Sequence, residues 1–327
     1  MKPFRYERAE RADVAIEELA ANPRAKYLGG GTNLADLMRL GVEQPDQLVD
    51  VSRLPLDRIE EEPDGGLRIG AAVRNSDLAG DARVQERYPL LSEALLAGAS
   101  GQLRNLATVA GNLLQRTRCL YFQDVTKPCN KRDPGSGCSA IEGHHRELAI
   151  FGWSESCVAT HPSDMAVALA AIGAKVHVQG REGTRTIPIP GLHRLPGDRP
   201  HQDTVLEHGE LIREIELPPL RAARVSTYRK VRDRAAFSFA LVSLAAALEV
   251  DEGVVSEVRL ALGGVAHVPW RAEHAERVLE GRRPTRELFE EAAKAELSEA
   301  DPLRDNAFKV PLLHGLIVST LEELAAR

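Results

Sequence analysis

Apolar residues at Val14, Ile16, Leu19 and Ala20 recur near helical spacing among charged neighbours, which predicts an amphipathic helix ended by Asn22-Pro23 and preceded by a short edge segment from Phe4. The pattern then changes. AKYLGGGTNLADLMRLGVEQPDQLVDV, from Ala25, reads as strand, glycine turn, short helix and a second strand at Gln47 to Val51, a small β-α-β unit. LRIGAAV from Leu67 is strand-like, and a helical region follows from Ser76 to about Ala99. Ser163 and Asp164 open a helix that ends near Gly173, with a strand at Lys175 to Gln179 behind it. TRTIPIPGLH and ELIREIELPPL add further strands. Beyond Pro218-Pro219, the expected domain boundary, the chain predicts three strands, one of them long and apolar, and then three helices in RAEHAERVLEG, ELFEEAAKAEL and LLHGLIVSTLEELAAR. Strand runs and helix runs are segregated here, which argues α+β.

At 327 residues and 43% hydrophobic content, the chain can build two or three packed domains. A net charge of −6, with 4% aromatics and no long basic block, makes nucleic acid a poor partner. The N-terminus has no apolar signal-peptide core, and no stretch approaches about 18 uninterrupted apolar residues, so cytoplasmic synthesis without membrane insertion is expected.

That expectation bears on the four cysteines. Cys119, Cys129, Cys138 and Cys157 are confined to one stretch rich in Pro, Gly and basic residues. Without an oxidising compartment, disulfides are disfavoured, and clustered cysteines point to metal or redox chemistry. The spacing, nine, eight and 18 residues between successive cysteines, lacks the C-x-x-C knuckle common in structural zinc sites. Four thiolates also suit a [4Fe–4S] cluster, although neither standard ferredoxin spacing is present. Arg116, Arg118, Lys127, Lys131 and Arg132 stand around them, and nearby cations would stabilise a negatively charged cluster. The competing reading, free cysteines buried as small apolar residues, fits poorly with their confinement to polar surroundings. His144 and His145 read as exposed loop residues without a role.

Gly29, Gly30 and Gly31 lie between the predicted strand and helix, where glycines let the backbone approach a ligand and free N–H groups suit a pyrophosphate. Thr32 and Asn33 add polar side chains. By itself such a turn is as often a plain connector, and neither G-x-G-x-x-G nor the P-loop motif is completed. A second polar turn, Thr108 to Asn112, runs directly into the cysteine stretch.

Taken in order, LGGGTNL, RNLATVAGN, THPSD and YRKVRDRAAFSFALVS span essentially the whole chain and resemble the FAD-binding medium subunit of the xanthine oxidase family of molybdenum hydroxylases. Ala110 departs from the glycine common there. The resemblance implies an α+β fold: a two-subdomain FAD-binding domain of the vanillyl-alcohol oxidase type over residues 1–218, divided near residue 55, and a smaller C-terminal domain over 219–327 with a three-stranded sheet and helices. It implies that Leu28, Gly29, Gly30, Gly31, Thr32 and Asn33 wrap the pyrophosphate of FAD, that Thr108, Gly111 and Asn112 lie near the flavin, that Asp164 bonds ribose or ribityl hydroxyls, and that Lys230 sits by the isoalloxazine or phosphate. On residue pattern alone, Ser163-Asp164 reads first as a helix cap and Lys230 as one of several solvated charges.

QRTRCLYFQD, PCNKRDPGSGC and CVATHPSD look most like the subset of this family, the bacterial periplasmic aldehyde oxidoreductases, whose flavin subunit carries a [4Fe–4S] loop; here it would span residues 115–159 with Cys119, Cys129, Cys138 and Cys157 as ligands. The implied protein is an electron-transfer subunit without a catalytic residue of its own. Its partners would be a large molybdenum-cofactor subunit and a small [2Fe–2S] subunit, with an external electron acceptor and export to the periplasm on a partner's twin-arginine signal. The rival readings are a self-contained flavin oxidase or reductase of the same fold and a zinc-stabilised binding module.

Overall fold

The computed structural model describes residues 1–235 and 238–327, and Ala236 and Phe237 of the YRKVRDRAAFSFALVS segment lie outside the described residues. Twelve strands among them form three sheets. The first is parallel, with β1 (Arg5–Arg8) and β2 (Ala25–Leu28) flanking β3 (Gln47–Asp50). Parallel strands require a crossover, and the helices Ala12–Ala21 and Leu34–Arg39 supply it. The first helix buries Ala15, Ile16 and Leu19, while Val14, expected on the apolar face, is 41% exposed.

The second sheet is antiparallel in the order β4 (Ile59–Glu61), β5 (Leu67–Gly70), β8 (Leu211–Leu217), β6 (Lys175–Gly180), β7 (Gly183–Pro188). The helical region expected from Ser76 to Ala99 is three short helices, Asn75–Gly80, Ala82–Arg87 and Pro89–Ala97. Asp81 caps the second by accepting a bond from the Arg83 amide, and Pro89 opens the third.

The third sheet has the order β12 (Trp270–Arg271), β11 (Val254–Gly263), β10 (Val242–Asp251), β9 (Ser226–Val231), one strand more than the three expected because β12 is only two residues long. It is covered by the helices Glu273–Leu279 and Lys309–Ala325, and the helix Arg286–Leu297 packs on those two. The expected α+β class is what forms. The helix Asp164–Ile172 is buried along its whole length between the third sheet and the helix Pro89–Ala97, which makes it the hub on which the site is assembled. Among the described residues no helix is long and apolar enough to cross a membrane.

Candidate functional site

The glycine turn after β2 is built by close backbone approach. At Gly30 a β-carbon would fall inside the van der Waals envelope of the Leu106 carbonyl, and Gly31 has φ +72°, where side chains are strained. The first loop therefore lies flat against the second. That second loop is stitched to the end of β5 by the Val109 amide to Val73 (3.0 Å) and the Ala110 amide to Ala71 (3.1 Å), and Thr108 caps the turn Val109–Leu113 by accepting from the Gly111 amide at 3.2 Å.

The two loops wall a cleft of about 380 Å³ that Leu28, Gly29, Gly30, Gly31, Thr32, Asn33, Thr108 and Gly111 all line. A second cavity of about 200 Å³ continues from it, sharing Thr32, Asn33 and Gly111, and is lined by Asn112, Asp164 and Lys230. The structure thus brings all eleven expected residues onto one groove. The Asn33 Nδ2 amide is buried there without a partner among the described residues, a donor free for an acceptor-rich ligand. A long groove with a backbone cradle at one end and an orphaned donor at its middle fits an extended dinucleotide such as FAD.

At the far end Ser163 caps the helix Asp164–Ile172 by accepting from the Ala166 amide at 3.0 Å, while Asp164 does something else. Its carboxylate accepts from Lys230 Nζ at 2.7 Å and from the Tyr228 hydroxyl at 2.6 Å. Lys230 is 4% exposed and bonds the Ala97 carbonyl as well, so neither residue is a solvated surface charge. Tyr228, which the sequence reading missed, is buried, and desolvation beside the Asp164 carboxylate pushes its hydroxyl well above the usual tyrosine value.

The cysteine segment is tied to the groove at both ends. The Arg116 amide donates to Asn33 Oδ1 at 3.0 Å, and Ser163 Oγ donates to Asn112 Oδ1 at 2.6 Å. Between these ties Cys119, Cys129, Cys138 and Cys157 line one small cavity, and no carboxylate shares it. Cys129 pairs with Cys138 across a tight loop in which Asn130 Oδ1 accepts from the amides of Gly135 and Gly137, both at positive φ. Burial pushes the Cys119 thiol up to about 11 and the Cys157 thiol to about 12, the latter opposed by the nearby Lys131. Among the described residues no three His, Cys, Asp or Glu side chains are gathered tightly enough to hold one metal ion. Four thiols around one cavity that no carboxylate shares are a donor set of the soft chemistry that a thiolate-bound metal centre takes.

Of the five basic residues near the cysteines, only Lys131 lines their cavity. It is 1% exposed and bonded to Asp203 and the Pro200 carbonyl. Arg116 is spent on Glu43 (2.6 Å) and Asp203 (2.8 Å), Arg132 on the carbonyls of Tyr121 and Phe122, and Lys127 is exposed. His145 is not an exposed loop residue: it is buried, and its Nδ1 accepts from the Asp305 amide at 3.1 Å, while His144 is exposed.

Fold and groove together define an FAD-binding medium subunit of the molybdenum hydroxylases. The family model for the FAD binding domain in molybdopterin dehydrogenase matches residues 2–220, that for the CO dehydrogenase flavoprotein C-terminal domain matches residues 226–324, and the chain belongs to this family. It is 50% identical to the aldehyde oxidoreductase FAD-binding subunit PaoB of Escherichia coli K12 over 329 residues, covering 100% of both chains. The glyceraldehyde dehydrogenase medium chain of Sulfolobus acidocaldarius is 26% identical over 93% of this chain and 90% of its own. Among solved structures, carbon monoxide dehydrogenase from Hydrogenophaga pseudoflava superposes with a TM-score of 0.76 at 26% identity, over 99% of this chain and 98% of that one.

Proposed function

We propose that this chain is the flavin and [4Fe–4S] subunit of a molybdenum-containing aldehyde oxidoreductase, with Leu28 to Asn33, Thr108, Gly111, Asn112, Asp164 and Lys230 around FAD and Cys119, Cys129, Cys138 and Cys157 as cluster ligands. The observation that carries this reading is the double tie of the cysteine segment to the groove, Arg116 to Asn33 at its entrance and Ser163 to Asn112 at its exit. Two centres built this way are neighbours. Bound FAD would supply the exchange between one-electron carriers and a two-electron acceptor. The chain's own residues hold, orient and desolvate: the glycine turns leave room for backbone contact, and Lys131, itself paired with Asp203, sets its ammonium beside the cysteines.

The likeness to aldehyde oxidoreductase and glyceraldehyde dehydrogenase subunits supports an aldehyde as the substrate of the assembled complex, oxidised on a large molybdenum subunit and relayed by a small [2Fe–2S] subunit. The domain division at Pro218-Pro219 and passage to the periplasm with a partner belong to the same reading.

Co-expression with both partners, followed by iron, zinc and FAD analysis and an aldehyde-dependent acceptor assay, tests it. The expected outcome is one FAD and one cluster's iron assigned to this chain, with turnover only in the complex. Zinc in place of iron, or aldehyde turnover by this chain alone, would overturn it.

A further inference from the structure

We propose that Arg118, and not Lys230, is the positive charge that offsets the negative charge gained at the flavin end of the groove on reduction; the proposal rests on the reading of that groove as the FAD site. Five charged side chains line this end: Asp36, Arg104, Arg118, Asp164 and Lys230. Lys230 and Asp164 neutralise one another at 2.7 Å, so the pair offers no net charge. Arg104 is spent on the carbonyls of Leu96, Gly98 and Ala99 at the end of the helix Pro89–Ala97, where the helix dipole is negative. Asp36 is exposed and 4.0 Å from Arg39.

Arg118 is the exception. Among the described residues it donates no side-chain hydrogen bond, its Nε is buried without a partner, and its guanidinium stacks 4.9 Å over the Phe239 ring. A half-buried guanidinium whose Nε has no hydrogen bond, and which the exposed Asp36 faces from beyond ion-pair distance, leaves a charge that a ligand's anionic form would satisfy. The group that acquires negative charge at this end is the isoalloxazine, and a fixed cation there stabilises it without reorganisation. Arg118 also lines the adjoining cavity that reaches Cys119, the next residue in the chain. One backbone step therefore joins a cluster thiolate to the flavin's countercharge.

The test uses the assembled complex with Arg118→Met, Arg118→Lys and Phe239→Leu, reading the flavin midpoint potential by spectroelectrochemistry and the affinity for sulfite, whose addition to oxidised flavin leaves a negative charge. Arg118→Met is expected to favour the oxidised flavin at least tenfold, about 30 mV for a two-electron couple, and to weaken sulfite binding by a similar factor. Iron and FAD content should be unchanged. Arg118→Lys and Phe239→Leu, which keep a charge, should stay within threefold of the parent. An unchanged potential in Arg118→Met, or an equal fall in Arg118→Lys or Phe239→Leu, overturns the proposal; should the Met variant fail to assemble, Arg118→Gln carries the same two outcomes. A parent complex lacking flavin would remove the FAD reading itself, and a cysteine cavity lacking iron leaves these expectations as they stand.

Discussion

Gly30 and Leu106 touch backbone to backbone: the α-carbon of one faces the carbonyl of the other with no space for a side chain between them. This contact sets the width of the groove at the turn that would cradle a pyrophosphate. Gly30→Ala must push apart two main-chain segments, because no flexible side chain is there to yield. We expect it to lower FAD content at least tenfold, read from the ratio of flavin to protein absorbance. Gly41→Ala is the control. At φ +76° it costs about 1 kcal/mol of strain, but a β-carbon there meets nothing within 4 Å and the residue lines neither part of the groove, so the flavin should be retained.

Asp164 and Lys230 are 64 and more residues from their partners in sequence yet meet in one buried cluster with Tyr228. Removing one member of a buried pair strands the other, which typically costs 3–5 kcal/mol. Lys230→Met and Asp164→Asn should each lose stability of that order, while the double variant should lose less than the sum. Urea unfolding of the four proteins gives the coupling directly, and strict additivity would show that the pair does not act as a unit. Tyr228→Phe removes one bond to a charged acceptor, for an expected loss of roughly 1.5–3 kcal/mol.

What could be read from the sequence follows from how local each cause is. Three consecutive glycines and a Ser-Asp helix start announce themselves within a few residues, and the four cysteines within one segment. Tyr228 does not, because its role comes from the register that sets it beside Ala245 on β10 and aims it at a helix from another sheet's crossover. Lys131 and Asp203, 72 positions apart, are likewise joined only by the fold. Val14 matched the helical period but faces outward, since the period marks a stripe and the packing decides its edges. The breaks at Asp81 and Pro89 were legible signals, an N-cap and a helix-opening proline, masked by continuous helical propensity around them. A two-residue β12 carries no period at all.

Cys129→Ser and Cys157→Ser should each remove the iron of one cluster from the complex while leaving flavin in place. No cysteine lines either part of the groove; of the four, Cys119 also lines the cavity that adjoins it. Metal analysis beside the flavin spectrum separates the two effects. Retained iron in both variants would show that these thiolates hold no cluster, and concurrent loss of flavin would show that the cysteine segment and the groove fold as one unit through the Asn33 and Asn112 ties.

Two buried histidines, His193 and His267, and the half-buried His161 gather around Asp203 behind the groove. Desolvation lowers all three, His161 and His193 in direction and His267 to about 4, although the Asp203 carboxylate opposes each shift. Arg116 and Lys131 hold that carboxylate well below its usual range against the cost of its burial, so it stays charged throughout the window in which the histidines titrate. With folded values below the unfolded value of about 6.5, the unfolded chain binds more protons between pH 6.5 and 4, so stability is lost as pH falls through that interval. His267 alone accounts for on the order of 3 kcal/mol by this linkage. His267→Gln keeps a donor for the Arg194 carbonyl, which His267 Nδ1 meets at 2.7 Å, and cannot titrate. Its unfolding free energy should therefore fall less steeply than the parent's from pH 6.5 to 4, with the two curves parallel above pH 7; parallel curves across the whole range would show that His267 is not buried in its neutral form.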